Sequence, residues 1–321
     1  IVNAKLIKRF SAAAFCGLSV FAGLSAAQRP AVVSGPSKPM TVASRNNLYC
    51  AGYVQTSPID TSNKLIGGVE EQDQYLYSQG DYVYLNMGSG KGIQVGDMLA
   101  VVRPKGRVET RWTKKDNLGF LVQEVGSVEI VKVKGDLSVA RVKNSCDNFL
   151  LGDLVQPMPQ RSSPMHQSRG PLDLFADPSG KATGRLFMAR DNQETLTRDQ
   201  IVYIDLGSED NVQVGDYLTV FRPLGKGNLL KGDQNESLSA RDEGYQSRVY
   251  RGGKFSNQAA RKSGDQARGR VVTTAEAKDD RPEIRKIVGE LVVLNVKEKT
   301  ATAVITRTAQ EIHTGDWVEI Q

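Results

Sequence analysis

The clearest local pattern in the chain is the alternation of apolar side chains with tyrosine or polar residues over short stretches. Residues 82–87 have an aliphatic or thioether side chain at every second position, and residues 201–206 repeat this arrangement. The alternating apolar positions are Val83, Leu85 and Met87 in the first stretch and Val202, Ile204 and Leu206 in the second. A period of two predicts β-strands that bury one face.

The chain also contains an internal duplication. Residues 81–104 (DYVYLNMGSGKGIQVGDMLAVVRP) and 200–223 (QIVYIDLGSEDNVQVGDYLTVFRP) are identical at 12 of 24 positions without a gap. The similarity resumes in VGSVEIVKV around Gly126 and in VGELVVLNV around Gly289, and a Gly-Asp pair begins 26 residues after each of these glycines. The matched segments keep the same spacing before and after a connection that differs in length between the copies. This indicates a duplicated domain rather than a repeated peptide.

Glycine and aspartate recur at the predicted strand ends of both copies. Glycine reaches backbone conformations that cost other residues energy, and aspartate accepts backbone N–H groups that a turn leaves free. We interpret ten residues as structural turn residues: Gly88, Gly96, Asp97, Gly152, Asp153, Gly207, Gly215, Asp216, Gly315 and Asp316. Because each aspartate recurs at the same turn in both copies, a set of catalytic carboxylates is the less favoured interpretation.

The pattern predicts an all-β fold of two tandem, duplicated small β-barrels, since each copy has five or six short strands with such turns. The predicted segments are a signal peptide at 1–27, a disordered linker at 28–47, the first barrel at 48–156, a Pro/Ser/Gly-rich linker at 157–182 and the second barrel at 183–321.

The second copy contains a long insertion at residues 225–282. The connection between the two repeated blocks takes 22 positions in the first copy and 66 in the second. The extra residues have too few apolar side chains to offset the entropy of ordering, so we predict that the insertion is disordered. A short amphipathic helix at 258–268 is the alternative.

The net charge of +6 comes mainly from two segments. Residues 1–27 contain three basic residues and no acid, and residues 225–282 contain twelve Lys or Arg against eight Asp or Glu. The rest of the chain is therefore close to neutral. This distribution argues against a basic folded face, so we predict no nucleic-acid partner.

The first residues have the three-part layout of a secretory signal peptide. Lys5, Lys8 and Arg9 precede an apolar run at residues 10–24, and small residues follow as far as Ala27. An apolar run of about 15 residues is shorter than the ~20 of a membrane-spanning helix, which makes an anchor the weaker alternative. We expect export, cleavage near residue 28 and no transmembrane span in the mature protein.

Two cysteines, Cys50 and Cys146, lie beyond this leader. An even pair in an oxidising compartment favours a disulfide. Two buried free thiols are the alternative.

Motifs that carry chemistry are few. Residues 88–92 (GSGKG) suggest a phosphate loop, but Leu85 stands where that motif needs its first glycine, and Gly92 replaces the Ser or Thr after the lysine. His166 and His313 have no partner at metal-ligand spacing. We predict no catalytic residue, no metal site and no cofactor.

Tyr84 and Tyr203 lie opposite the apolar stripe of their strands. They are a candidate binding face, but we favour partial packing under a loop.

The pattern VYLNMGSGKGIQVGDMLAVVRP and its copy VYIDLGSEDNVQVGDYLTVFRP resemble the C-terminal domain of the flagellar assembly protein T family, periplasmic proteins of the flagellar basal body. The whole layout, with YCAGY at 49–53 and IHTGD at 312–316, is also similar to a group of bacterial secreted proteins of uncharacterised function. The resemblance implies a small β-barrel used in envelope assembly.

We therefore expect an exported, non-enzymatic structural or interaction module of the periplasm or outer cell envelope. Its partners would be envelope proteins or a cell-wall polymer. The first alternative is a peptidoglycan- or glycan-binding protein. The second is an envelope hydrolase, which needs a nucleophile with a base or paired carboxylates in a cleft. The sequence leaves the partner, a flagellar role and the oligomeric state open.

Overall fold

The computed structural model describes residues 40–224 and 284–321. These residues form an almost entirely β structure with two duplicated barrel units, and the predicted fold class is confirmed. The signal peptide predicted at 1–27 and the insertion predicted at 225–282 lie outside the described residues.

The first unit follows a short helix and is a seven-stranded antiparallel sheet. Its elements are α1 (Arg45–Tyr49), β1 (Tyr53–Gln55), β2 (Leu65–Gly68), β3 (Tyr82–Leu85), β4 (Met98–Arg107), β5 (Phe120–Val133), β6 (Ser138–Ser145) and β7 (Leu154–Pro157). The strand order is β2-β3-β6-β5-β4-β7, and β1 pairs with β5.

The second unit is a closed six-stranded barrel with a separate two-stranded ribbon. Its strands are β8 (Thr183–Ala189), β9 (Thr195–Leu196), β10 (Ile201–Ile204), β11 (Tyr217–Pro223), β12 (Arg285–Val296), β13 (Ala301–Thr308), β14 (Ile312–His313) and β15 (Trp317–Ile320). The barrel runs β10-β13-β12-β11-β15-β8, and β14 pairs with β9.

The two ends of the first sheet also meet. The N–H of Leu65 donates to the carbonyl of Asp153 at 2.8 Å, and the carbonyl of Leu65 accepts from the N–H of Gly152 at 2.8 Å. In the second barrel Leu186 makes the same two bonds with residues 315–316, at 2.9 and 2.6 Å. The duplication therefore extends to individual hydrogen bonds: the first unit closes between β2 and the turn before β7, and the second between β8 and the turn before β15.

Each barrel has its own apolar core, built from the alternating stripes that the sequence predicts. Equivalent buried residues are Val83, Leu85, Val101, Val128 and Ile130 in the first barrel and Val202, Ile204, Val220, Leu291 and Val293 in the second. Burying each of these side chains contributes about 1.5–3 kcal/mol.

The strands on either side of residues 225–283 pair with each other. Pro223 lies opposite Arg285, and the N–H of Leu224 donates to the carbonyl of Ile284 at 2.9 Å. The corresponding strands of the first barrel, β4 and β5, are joined by a much shorter connection. The additional length in the second copy thus falls between two adjacent strands.

The segment at 40–47 differs from the disordered linker predicted for 28–47. Ala43 is 3% exposed, and Thr41 forms a β-bridge with Met165. The reason is apolar burial, since this segment and α1 pack on Ile201 and Val292 of the second barrel.

Candidate functional site: a lateral cleft and the junction between the barrels

Tyr203 lies where the two barrels meet, so this residue of the candidate binding face packs inside the protein, against the other barrel, rather than on a free surface. The residue is 2% exposed, and its hydroxyl donates a 2.7 Å hydrogen bond to the carbonyl of Ala51. Its ring stacks on Phe187, and both rings pack with Val54 of β1. Burial raises the pKa of Tyr203. The equivalent Tyr84 of the first barrel is half-buried.

Threonine hydroxyls of the second barrel fix strand β1 against it. Thr300 Oγ1 donates to the carbonyl of Val54 at 2.7 Å, and Thr302 Oγ1 donates to the carbonyl of Gly52 at 3.1 Å. Both threonines are 1% exposed. Buried hydrogen bonds to main-chain carbonyls leave little freedom for one barrel to turn against the other.

A disulfide and a hydrogen bond tie the N-terminal segment to the first barrel, and an ion pair ties the linker to the same place. Cys50 and Cys146 are bonded, as predicted, with their Cα atoms 5.5 Å apart. Nearby, the Glu124 carboxylate accepts from Arg161 at 2.7 Å and from the N–H of Gly52 at 3.0 Å. Burial raises the pKa of Glu124 despite the opposing charge of Arg161.

An arginine that the sequence analysis missed holds the second Gly-Asp turn of each copy. Arg103 donates to both carboxylate oxygens of Asp153 at 2.7 and 2.8 Å, and Arg222 does the same with Asp316 at 2.5 and 2.8 Å. Each carboxylate also accepts the N–H three residues upstream, at 2.8 and 2.7 Å. Bidentate pairing of this kind is strong and specific for arginine. The Arg-Pro that ends both repeated blocks was the available signal.

The first Gly-Asp turn of each copy repeats a simpler arrangement. Asp97 accepts the N–H of Gln94 at 2.7 Å, and Asp216 accepts the N–H of Gln213 at 2.8 Å. The glycines that precede the four turn aspartates have φ between 94° and 96°: Gly96, Gly152, Gly215 and Gly315. This left-handed conformation strains any residue with a Cβ.

Gly88 and Gly207 each come before a single 3-10 turn, at Ser89–Lys91 and Ser208–Asp210. A Cβ on either glycine would overlap a neighbouring main-chain carbonyl. Their role is therefore close approach of two backbone segments.

A cleft of about 1110 Å³, here called the lateral cleft, runs along one side of the first barrel. Its wall is formed by flexible methionine side chains, side-chain amides and lysine ammonium groups. The residues concerned are Met87, Met98 and Met158, then Asn63, Asn144 and Gln160, and finally Lys91 and Lys143.

The strand registers show which residues of the second barrel correspond to this wall. Ser127 pairs with Asn144 across β5 and β6, as Glu290 pairs with Arg307 across β12 and β13. Met98, the first residue of β4, corresponds in the same way to Tyr217, the first residue of β11. The equivalent pairs are Met98 with Tyr217, Ser127 with Glu290 and Asn144 with Arg307.

In the second barrel the linker segment 164–170 occupies this position. Arg169 donates to Glu290 at 2.8 Å, and its guanidinium lies 4.3 Å from the ring centre of Tyr217. Arg307 in turn donates to a linker carbonyl at 2.5 Å. The second barrel thus binds a segment of its own chain where the first barrel has the lateral cleft.

The two grooves differ in charge. Glu290 and Arg307 form an ion pair at 2.6 Å, whereas Ser127 and Asn144 are neutral. The lateral cleft therefore lacks the carboxylate that holds Arg169 in the second barrel, and it contributes two lysines instead. Asp97 also lines the cleft and Lys143 pairs with Glu129 at 2.8 Å, so the charges of the lateral cleft are mixed.

Residues 40–224 and 284–321 contain neither a candidate metal centre nor a membrane-spanning helix. Across these ranges the His, Cys, Asp and Glu side chains form no group of three or more that could hold a metal ion. No helix in the same ranges has the length and apolar character needed to cross a bilayer. Neither protein-family models nor curated proteins match the chain.

Proposed function

We propose that this protein is an exported, non-enzymatic interaction module of the bacterial cell envelope, and that its lateral cleft binds an extended segment of a partner protein. The observation that carries the proposal is the linker segment 164–170, which lies in the equivalent groove of the second barrel. The first barrel has a groove at the equivalent strand positions, lined by different side chains, and can bind a segment there through different contacts.

The junction supports a scaffold role. Tyr203, Thr300 and Thr302 hydrogen-bond across it, and the disulfide fixes the segment that receives these bonds. A binding groove on a rigid support loses less entropy when it captures a partner. A disulfide is also typical of proteins that leave the cytosol.

The engagement of the repeated aspartates supports a non-enzymatic role. Asp153 and Asp316 each accept a bidentate arginine and a backbone N–H. A carboxylate whose oxygens are occupied by these structural bonds is not free to accept a proton from a substrate.

Glycan binding is the second candidate, favoured by the amide and hydroxyl groups of the lateral cleft. Asn63, Asn144, Gln160 and Ser62 can all hydrogen-bond to sugar hydroxyls. Incubation with purified cell-wall sacculi separates the candidates: the main proposal expects the protein in the supernatant, and the glycan candidate expects it in the pellet.

Assembly of a periplasmic or flagellar-type complex is the specific form of this role that the sequence resemblance suggests. It predicts that the partner segment belongs to a component of such a complex. Loss of motility on deletion of this chain from a flagellated host would favour that form, and unchanged motility would point to another envelope complex.

The test of the proposal is chemical crosslinking in intact cells of the native host, followed by fractionation and mass spectrometry. We expect the mature protein in the envelope fraction, with its leader removed, and crosslinked to an envelope protein. Recovery in the cytoplasm with an intact leader would overturn the export part. Envelope location with crosslinks only to cell-wall material would overturn the protein-partner part.

A further inference from the structure

The junction buries one face of the second barrel, made by neighbouring strands β8 and β10. Phe187 and Tyr203 on this face are 4% and 2% exposed, and Val54, which reaches them from the first barrel, is 1% exposed. Leu118 from the β4–β5 connection completes the contact. One barrel therefore contributes an apolar side chain and the other an aromatic face.

The first barrel has the same face on strands β2 and β3. Gly67 pairs with Tyr84 as Met188 pairs with Tyr203, which sets the correspondence between the two strand pairs. The equivalent residues are Ile66 with Phe187, Tyr82 with Ile201 and Tyr84 with Tyr203.

On the first barrel this face, here called the open face, is accessible. Ile66 is 47% and Tyr82 is 44% exposed, and Tyr84 is half-buried. Apolar and aromatic side chains grouped in this way on a folded surface mark interaction sites.

The second barrel in turn carries the counterpart of Val54. Val54 lies 11 residues before Leu65, and Phe175 lies 11 residues before the equivalent Leu186. Phe175 is 91% exposed. The turn that presents it is held in place, because the N–H of Phe175 donates to Asp173 Oδ1 at 2.9 Å and Arg285 donates to the carbonyl of the next residue at 2.8 Å.

We propose that copies of this chain associate head to tail, with Phe175 of one copy packed on the open face of the next. The contact would repeat between molecules the arrangement that joins the two barrels within one molecule. Because Phe175 and the open face lie on different surfaces, the contact is heterologous. An assembly therefore has an unoccupied open face at one end and an unoccupied Phe175 at the other. The contact involves none of the residues that line the lateral cleft, so it does not depend on the function proposed above.

The test is analytical ultracentrifugation of the purified mature chain over a concentration series. We expect wild type to form species larger than dimers as concentration rises. Phe175→Ser and Ile66→Ser should each weaken association by about tenfold or more, as expected for truncating an interface anchor. Val131→Ser, at a position 37% exposed on β5, is the matched control and should associate like wild type.

The decisive experiment mixes the two variants. Phe175→Ser retains an intact open face and Ile66→Ser retains an intact Phe175, so one functional contact remains between them. The mixture should form 1:1 dimers and no longer species. A wild type that stays monomeric throughout, single variants that associate normally, or a mixture that stays monomeric would each overturn the proposal. Thermal unfolding of each variant verifies the fold, which these exposed positions should leave intact.

Discussion

Tyr203 and Ala51 are joined across the junction by a 2.7 Å hydrogen bond from the tyrosine hydroxyl to the alanine carbonyl. Ala51 directly follows Cys50, whose disulfide to Cys146 fixes the same stretch of chain to the first barrel. One short segment is therefore covalently bound to one barrel and hydrogen-bonded to the other. It couples the barrels, together with the ion pairs of Lys115 to Glu209 and Asp210.

Replacing Tyr203 with Phe removes this hydrogen bond and keeps the ring. We expect the free energy of unfolding to fall by about 1 kcal/mol, the usual net value of a buried hydrogen bond. Tyr84→Phe, at the equivalent and half-buried position, should change it by less than about 0.5 kcal/mol. Urea denaturation of both variants measures the difference, and equal effects would contradict the role given to Tyr203.

Removing the disulfide with the double variant Cys50→Ala/Cys146→Ala should destabilise the protein strongly. The bond closes a loop with a sequence separation of 96, for which the chain-entropy model gives about 4–5 kcal/mol as an upper range. The same urea titration with and without reductant provides the control. Reductant should destabilise the wild type and leave the double variant unchanged, whereas an insensitive wild type would refute a structural disulfide.

Stability should depend on pH through Glu290. Burial alone would raise its pKa, but hydrogen bonds from Arg307 and Gln321 and the charge of Arg169 outweigh burial, so the pKa is lowered. The ionised carboxylate therefore stabilises the fold above its unfolded pKa of about 4.3, and this contribution is lost as pH falls through the lowered folded pKa.

Glu290→Gln should thus cost about 1–3 kcal/mol at pH 7, and the difference from wild type should shrink in acid. Glu194→Gln, at an exposed position, should stay within about 0.5 kcal/mol at every pH. Thermal unfolding between pH 7 and acid conditions measures both variants. A constant difference for Glu290→Gln would contradict this assignment.

Replacing residues 225–283 with a short turn should leave the second barrel folded. The flanking residues already pair, Pro223 with Arg285 and Leu224 with Ile284, and loop length changes stability by only about 0.6 kcal/mol per doubling. The melting temperature should therefore stay close to that of wild type, and an unfolded second barrel would contradict the prediction. Shortening the equivalent connection of the first barrel should destabilise the protein, because Leu118 there is buried at the junction.

The strands and barrels could be predicted because a period of two and recurring Gly-Asp turns are local signals. The environment of Tyr203 could not, because Tyr84 sits in a nearly identical local sequence and is half-buried. What separates the two tyrosines is the contact of β10 with the other barrel. The path of the linker could not be predicted either. Its composition indicates a loop and does not mark Arg169 as a residue that binds the second barrel.

Binding of a partner segment in the lateral cleft can be measured by site-specific photocrosslinking in the native host. A photoreactive residue at Met98, in the cleft wall and 40% exposed, is compared with one at Val131, which is 37% exposed and does not line the cleft. We expect a covalent adduct with an envelope protein from position 98 and not from position 131. The same adduct from both positions, or none from position 98, would contradict binding in the cleft.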